Sequence, residues 1–65
     1  MQTTGRELRL ARREAEVTVV DLAARMGLSR QALWALERAA VVRVERAAQY
    51  REALRDVIET SGATA

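Results

Sequence analysis

Ser29, Arg30, Gln31 and Trp34, with Arg38 just beyond them, are the side chains of this 65-residue chain best suited to molecular recognition. A glutamine amide presents a donor beside an acceptor and can pair bidentately with adenine N6 and N7. An arginine fork can take guanine O6 and N7, or a phosphate. The tryptophan indole adds one donor and a broad apolar face. Ser29 opens the segment, and the backbone N–H groups of a helix start favour anions such as phosphate. Bond-making chemistry lacks its usual carriers. There is no His, Cys or Lys to act as base or nucleophile, since all eleven basic residues are Arg. The zinc ligands Cys and His are missing too, and no Gly-rich phosphate loop occurs. The expectation is a non-enzyme with no cofactor, metal or small-molecule ligand.

Two short amphipathic patterns must position these residues. They lie in Val19–Arg38 and meet at Met26-Gly27-Leu28-Ser29. Thr18 followed by Asp21 three residues on is an N-terminal helix signature, with Val17 placed to staple onto Leu22. A helix over Val19–Met26 turns Leu22, Ala23 and Met26 inward. Gly27 then supplies the positive φ of a helix stop. Ser29 caps a further helix starting at Arg30, with Leu33 and Leu36 inward. Ala23 must be small where the two helices approach, and Leu22, Leu28, Leu33 and Leu36 wedge them together. This joint spacing is that of a helix-turn-helix.

Around that unit the chain predicts two more helices. Thr4 caps the first, over Gly5–Ala15, with Glu7 as capping-box partner and Leu8, Ala11 and Ala15 inward. A break is expected at Ala39-Ala40-Val41-Val42. The last helix spans Val44–Thr60, with Gly62 past its end. Its apolar face (Val44, Ala47, Ala48, Leu54, Val57, Ile58, flanked by Tyr50) is wider than one small core needs. Tyr50, Leu54, Val57 and Ile58 are therefore expected at a homodimer seam. Arg55 is placed to pair with Glu52 or Glu59. The fold class is all-α: a compact bundle of four to five short helices in one domain over residues 1–65. Residues 1–4 and 61–65 are expected to be flexible.

Composition agrees with a small helical domain. Ala, Arg, Leu and Glu dominate, Pro is absent, and no disulfide can form. A domain this size buries only about 60% of its unfolded surface, so helix packing or self-association must supply the stability. The net charge of +2 is uneven: residues 1–51 carry ten Arg against six acids, and residues 52–65 one Arg against three. A GC-rich coding bias would give the same Arg excess, so the excess alone decides nothing. No apolar run approaches the ~20 residues that span a bilayer, and the N-terminus lacks a signal-peptide pattern. A cytoplasmic protein is expected, without membrane contact.

The segment LRLARREAEVTVVDLAARMGLSRQALWALER, Leu8–Arg38, resembles the Cro and phage-repressor type helix-turn-helix domains, and AAQYREAL resembles the closing helix of many small members. The resemblance implies a four- or five-helix fold that dimerises on a palindromic operator in double-stranded DNA and regulates transcription, here as a repressor. It places Arg30, Gln31 and Trp34 at base-facing positions, Ser29 at a phosphate, and Arg38 and Arg43 near the DNA backbone. It also implies a structural ion pair between Arg12 and Glu37. Three positions depart from the family pattern: Val19 replaces a phosphate-contacting Gln, and Glu16 and Ala39 replace glycines. Trp34 is unusual at a groove-facing site and has a competing reading as a packing residue. Two alternatives stay open: a protein-interaction module of antitoxin or anti-regulator type that keeps the fold without reading DNA, and a DNA-bending recombination accessory protein.

Overall fold

The structure, a computed structural model, describes residues 2–62, with the backbone alone at 61 and 62. It is all-α. The helices are α1 (Gly5–Glu14), α2 (Val19–Met26), α3 (Arg30–Arg38) and α4 (Val44–Gly62). Three of them begin at the expected caps. The hydroxyls of Thr4, Thr18 and Ser29 accept the backbone N–H of Glu7, Asp21 and Ala32, each at 3.1 Å. Each bond satisfies one of the amides a helix start leaves without a partner.

Helix α2 ends in a Schellman turn. Gly27 has φ 72°. The Gly27 N–H donates to the Ala24 carbonyl at 3.2 Å, and the Leu28 N–H to the Ala23 carbonyl at 2.8 Å. Nothing lies within 4 Å of where a Cβ would stand on Gly27, so the glycine is needed for its φ and not for space. The α1–α2 link reaches the same backbone region without a glycine. Glu16 has φ 59°, a conformation costing a non-glycine residue about 1 kcal/mol. Ala39, by contrast, leaves α3 in an extended conformation (φ −67°, ψ 138°), and the Gly5 N–H donates to its carbonyl at 2.9 Å. No glycine is required there.

Helices α1 and α2 each pack against both α3 and α4, while the backbones of α3 and α4 stay apart. Leu8, Leu22, Leu33 and Tyr50 are fully buried where the four meet, and Val17, Ala23, Val42, Ala47, Ala53 and Leu54 complete the core. Val17 and Leu22 flank the Thr18 cap and share this core, as a hydrophobic staple requires.

Thr3 and Thr4 are joined to the bundle: the Val42 N–H donates to the Thr3 carbonyl at 2.8 Å in an isolated antiparallel bridge, and Thr4 caps α1. Two expectations are corrected. Helix α4 runs through Ser61 and Gly62 instead of stopping before them; residues 1 and 63–65 lie outside the described residues. The apolar face of α4 is also narrower than its sequence pattern. Val44, Ala48 and Ile58 are exposed, so the buried stripe is Ala47, Tyr50, Ala53 and Leu54 with Val57 beside it. Among the described residues no helix is long and apolar enough to cross a membrane.

Candidate nucleic-acid interface

Helix α3 has two unlike sides. Leu33 and Glu37 are buried and Leu36 is half-buried, which turns Arg30, Gln31, Ala32, Trp34, Ala35 and Arg38 outward. Gln31, Ala35 and Arg38 recur at i, i+4 and i+7 and form the crest directly opposite the buried side. Trp34 sits off that crest, on the flank facing α1, in a cleft shared with Arg9, Arg12, Glu37 and Arg38. It is 42% exposed. Ser29 and Arg43 are exposed at the two ends of the unit. Ser29 Oγ and the Ser29 carbonyl take the N–H groups of Ala32 and Leu33. The N–H groups of Arg30 and Gln31 have no acceptor among the described residues and point out of the helix start.

A buried polar network fixes the orientation of α3. Arg12 Nε donates to Glu37 Oε2 at 2.8 Å, and a second guanidinium nitrogen donates to Oε1 at 3.1 Å. The third reaches the Val17 carbonyl at 2.9 Å in the α1–α2 link. The Tyr50 hydroxyl donates to Glu37 Oε2 at 2.5 Å. Arg12 is 9% exposed and Glu37 5%. No buried side-chain nitrogen or oxygen among the described residues lacks a partner, so the charges are both paired and fully hydrogen-bonded, the condition under which burial is tolerable. The network ties α1, the α1–α2 link and α4 to the inner side of α3. The backbones of α3 and α4 stay apart, and among the described residues the Tyr50–Glu37 hydrogen bond is the polar tie between them.

Hydrogen bonding to Glu37 raises the pKa of Arg12 above that of an ordinary arginine. Burial, and then the hydrogen bond to Glu37, push the Tyr50 phenol well above the usual tyrosine range. The sign of the resulting pH dependence is fixed. Below pH ~10 the phenol is protonated in both folded and unfolded chains, and its stabilising contribution is complete. Above it the unfolded chain releases the proton while the folded chain keeps it, so stability falls as pH rises. The chain has one Tyr and no Lys or Cys, so no other side chain titrates in that window. Urea unfolding between pH 8 and 11.5 is expected to show a falling stability that Tyr50→Phe abolishes. Phenolate absorbance at 295 nm should appear only as helicity is lost. Titration near pH 10 with the fold intact would contradict the buried hydrogen bond.

The remaining assignments divide. Arg12 and Glu37 are brought together, as the resemblance implies. Tyr50 and Leu54 are not at a surface where a second chain could meet them: Tyr50 is 0% exposed and Leu54 7%, both inside this chain's own core. Their expected place at a dimer seam is withdrawn, because one apolar stripe on α4 cannot show in sequence which part of it turns inward. Val57 is half-buried against the core, and Ile58 alone of the four is exposed. Arg55 forms no ion pair with Glu52 or Glu59; Arg12–Glu37 is the one salt bridge among the described residues. The sequence reading missed Ala35, whose place on the crest follows from its spacing to Gln31 and Arg38. It also missed Tyr50 as the third member of the network, for which no local signal exists.

No group of acidic side chains among the described residues is arranged to hold a metal ion. Comparison with known protein families, with curated proteins and with solved structures finds no match for this chain.

Proposed function

We propose that this protein binds double-stranded DNA in a sequence-dependent way through α3 and, as a homodimer in the cytoplasm, represses transcription by occupying an operator in the manner of the Cro-like regulators it resembles. One observation carries the reading. Helix α3 is locked from behind by a buried, fully paired network, while its outer crest and helix start keep their hydrogen-bonding groups unused. A rigid helix with an unspent polar face suits the major groove, which admits an α-helix. Gln31 suits adenine. Arg30 suits guanine or a phosphate, and the amides of Arg30 and Gln31 suit a phosphate oxygen. Ala35 lets the backbone of α3 come close to the base edges, and its methyl suits a thymine methyl. Arg38 and Arg43 suit the flanking backbone. A homodimer would set two such helices in successive major grooves about 34 Å apart, and of the residues expected at its seam Ile58 is the exposed one.

The test is the double variant Arg30→Ala/Gln31→Ala. Each good base contact is worth about 1–3 kcal/mol, so affinity for the preferred duplex should fall a hundredfold or more, on the order of the sum of two such contacts, with the helical circular dichroism intact. Unchanged affinity of a folded double variant would remove α3 from the reading role.

A further inference from the structure

We propose that the DNA surface does not end at α3 but continues across α1, where Arg6, Arg9 and Arg13 follow the sugar–phosphate backbone and Trp34 lies against it instead of reading a base. The proposal rests on the DNA reading above. Three adjoining clefts carry it. One of about 310 Å³ brings Arg9 of α1 together with Trp34 and Arg38 of α3. The next, of about 250 Å³, is lined by Arg6, Arg9, Leu10 and Arg13. The third groove joins Arg6 and Arg9 to Arg38 around the end of α3. Arg9 lines all three, so the arginines form one continuous surface.

That surface is positive and uncompensated. The one carboxylate lining these clefts is Glu37, which is buried and already held by Arg12 and Tyr50. The guanidinium groups of Arg6, Arg9, Arg13 and Arg38 make no hydrogen bond or salt bridge to other described residues. From Arg6 to Arg13 the helix axis advances about 10 Å, enough to reach successive phosphates of one DNA strand. Planar, weakly hydrated arginine forks suit phosphate oxygens. The indole beside them, turned toward α1 and away from the crest of Gln31, Ala35 and Arg38, offers an apolar face to a deoxyribose. Such contacts position a protein on DNA without carrying sequence information.

Arg6→Gln/Arg9→Gln is the discriminating variant, because both side chains are exposed and outside the core. Binding is measured on the preferred duplex and a scrambled one across a salt series. Each lost phosphate contact removes about 0.9 from the slope of log affinity against log salt. The double variant should therefore lose a slope of about 2 and weaken on both duplexes by a similar factor, roughly tenfold or more. Its sequence preference should be unchanged, and Arg55→Gln on α4 should keep the full slope. Trp34 fluorescence should respond to the scrambled duplex in the unaltered protein and less in the variant. An unchanged slope in a protein that still reads its preferred duplex would overturn the α1 surface and leave α3 reading intact. An altered sequence preference at an unchanged slope would overturn it as well. Absence of any duplex binding by the unaltered protein would overturn both readings together.

Discussion

Arg12→Met is expected to cost about 3–5 kcal/mol, because it leaves the Glu37 carboxylate buried without its countercharge. It also strands the Val17 carbonyl, which Arg12 now satisfies at 2.9 Å. A domain of this size has roughly 3–10 kcal/mol of stability in total, so the variant should be largely unfolded at 37 °C. Urea titration followed by helical circular dichroism measures the loss. The same physics predicts a partial rescue. Replacing the side chains of the whole network, as in Arg12→Met/Glu37→Leu/Tyr50→Phe, removes its buried charges and hydroxyl together, leaves only the Val17 carbonyl without its donor, and should restore much of the stability, since apolar substitutes for buried ion pairs are often neutral or better. If Arg12→Met alone kept its full stability, the pair would not be buried and paired as described. If the triple variant folded and bound DNA like the unaltered protein, the network would not be what orients α3.

Gly5→Ala is expected to be as damaging, for a different reason. A Cβ on Gly5 would stand 2.6 Å from the carbonyl carbon of Glu37 and 2.7 Å from its oxygen. Those atoms are backbone at the end of α3 and cannot rotate aside. The Gly5 N–H is also bonded to the Ala39 carbonyl at 2.9 Å, so the start of α1 is seated on the end of α3, with its dipole favourably aligned. Overpacking at such a site costs about 3 kcal/mol or more when nothing can relax. Differential scanning calorimetry should show a fall in Tm of about 12 °C or greater, taking the lower end of the 4–8 °C per kcal/mol typical of small domains. A shift of under about 2 °C would mean that the α1–α3 approach is looser than described.

The helix starts were the most legible part of the sequence, because a capping hydroxyl acts on an amide three residues away. Thr4, Thr18 and Ser29 each announce their helix locally, and Gly27 announces the turn by the φ it alone adopts without strain. The end of α4 was not legible in the same way: Gly62 looks like a stop signal but lies within the helix. Gly5 gave no sign of its packing role, since a glycine at the first turn of a helix looks the same whether its missing Cβ faces water or another backbone. The network was half visible. Arg12 and Glu37 came through resemblance, whereas Tyr50, thirteen residues past Glu37, looked like the flank of a broad apolar stripe. Periodicity places a residue on a face but does not show which part of a wide face meets a neighbour. For that reason the sequence pattern alone points Tyr50 and Leu54 to a seam between chains, whereas they belong to the core of one. The closeness of Arg6 and Arg9 to Trp34 and Arg38 depends on how α1 crosses α3, which no local pattern shows.

Selection of bound sequences from random duplex DNA at near-physiological salt tests DNA reading by α3 most directly. The expected result is an enriched palindrome whose half-sites lie about one helical turn apart. A single unpaired half-site would keep the reading role of α3 and remove the dimer. No enrichment by protein shown to be folded would contradict sequence-dependent DNA binding, and would direct the search for a partner toward proteins.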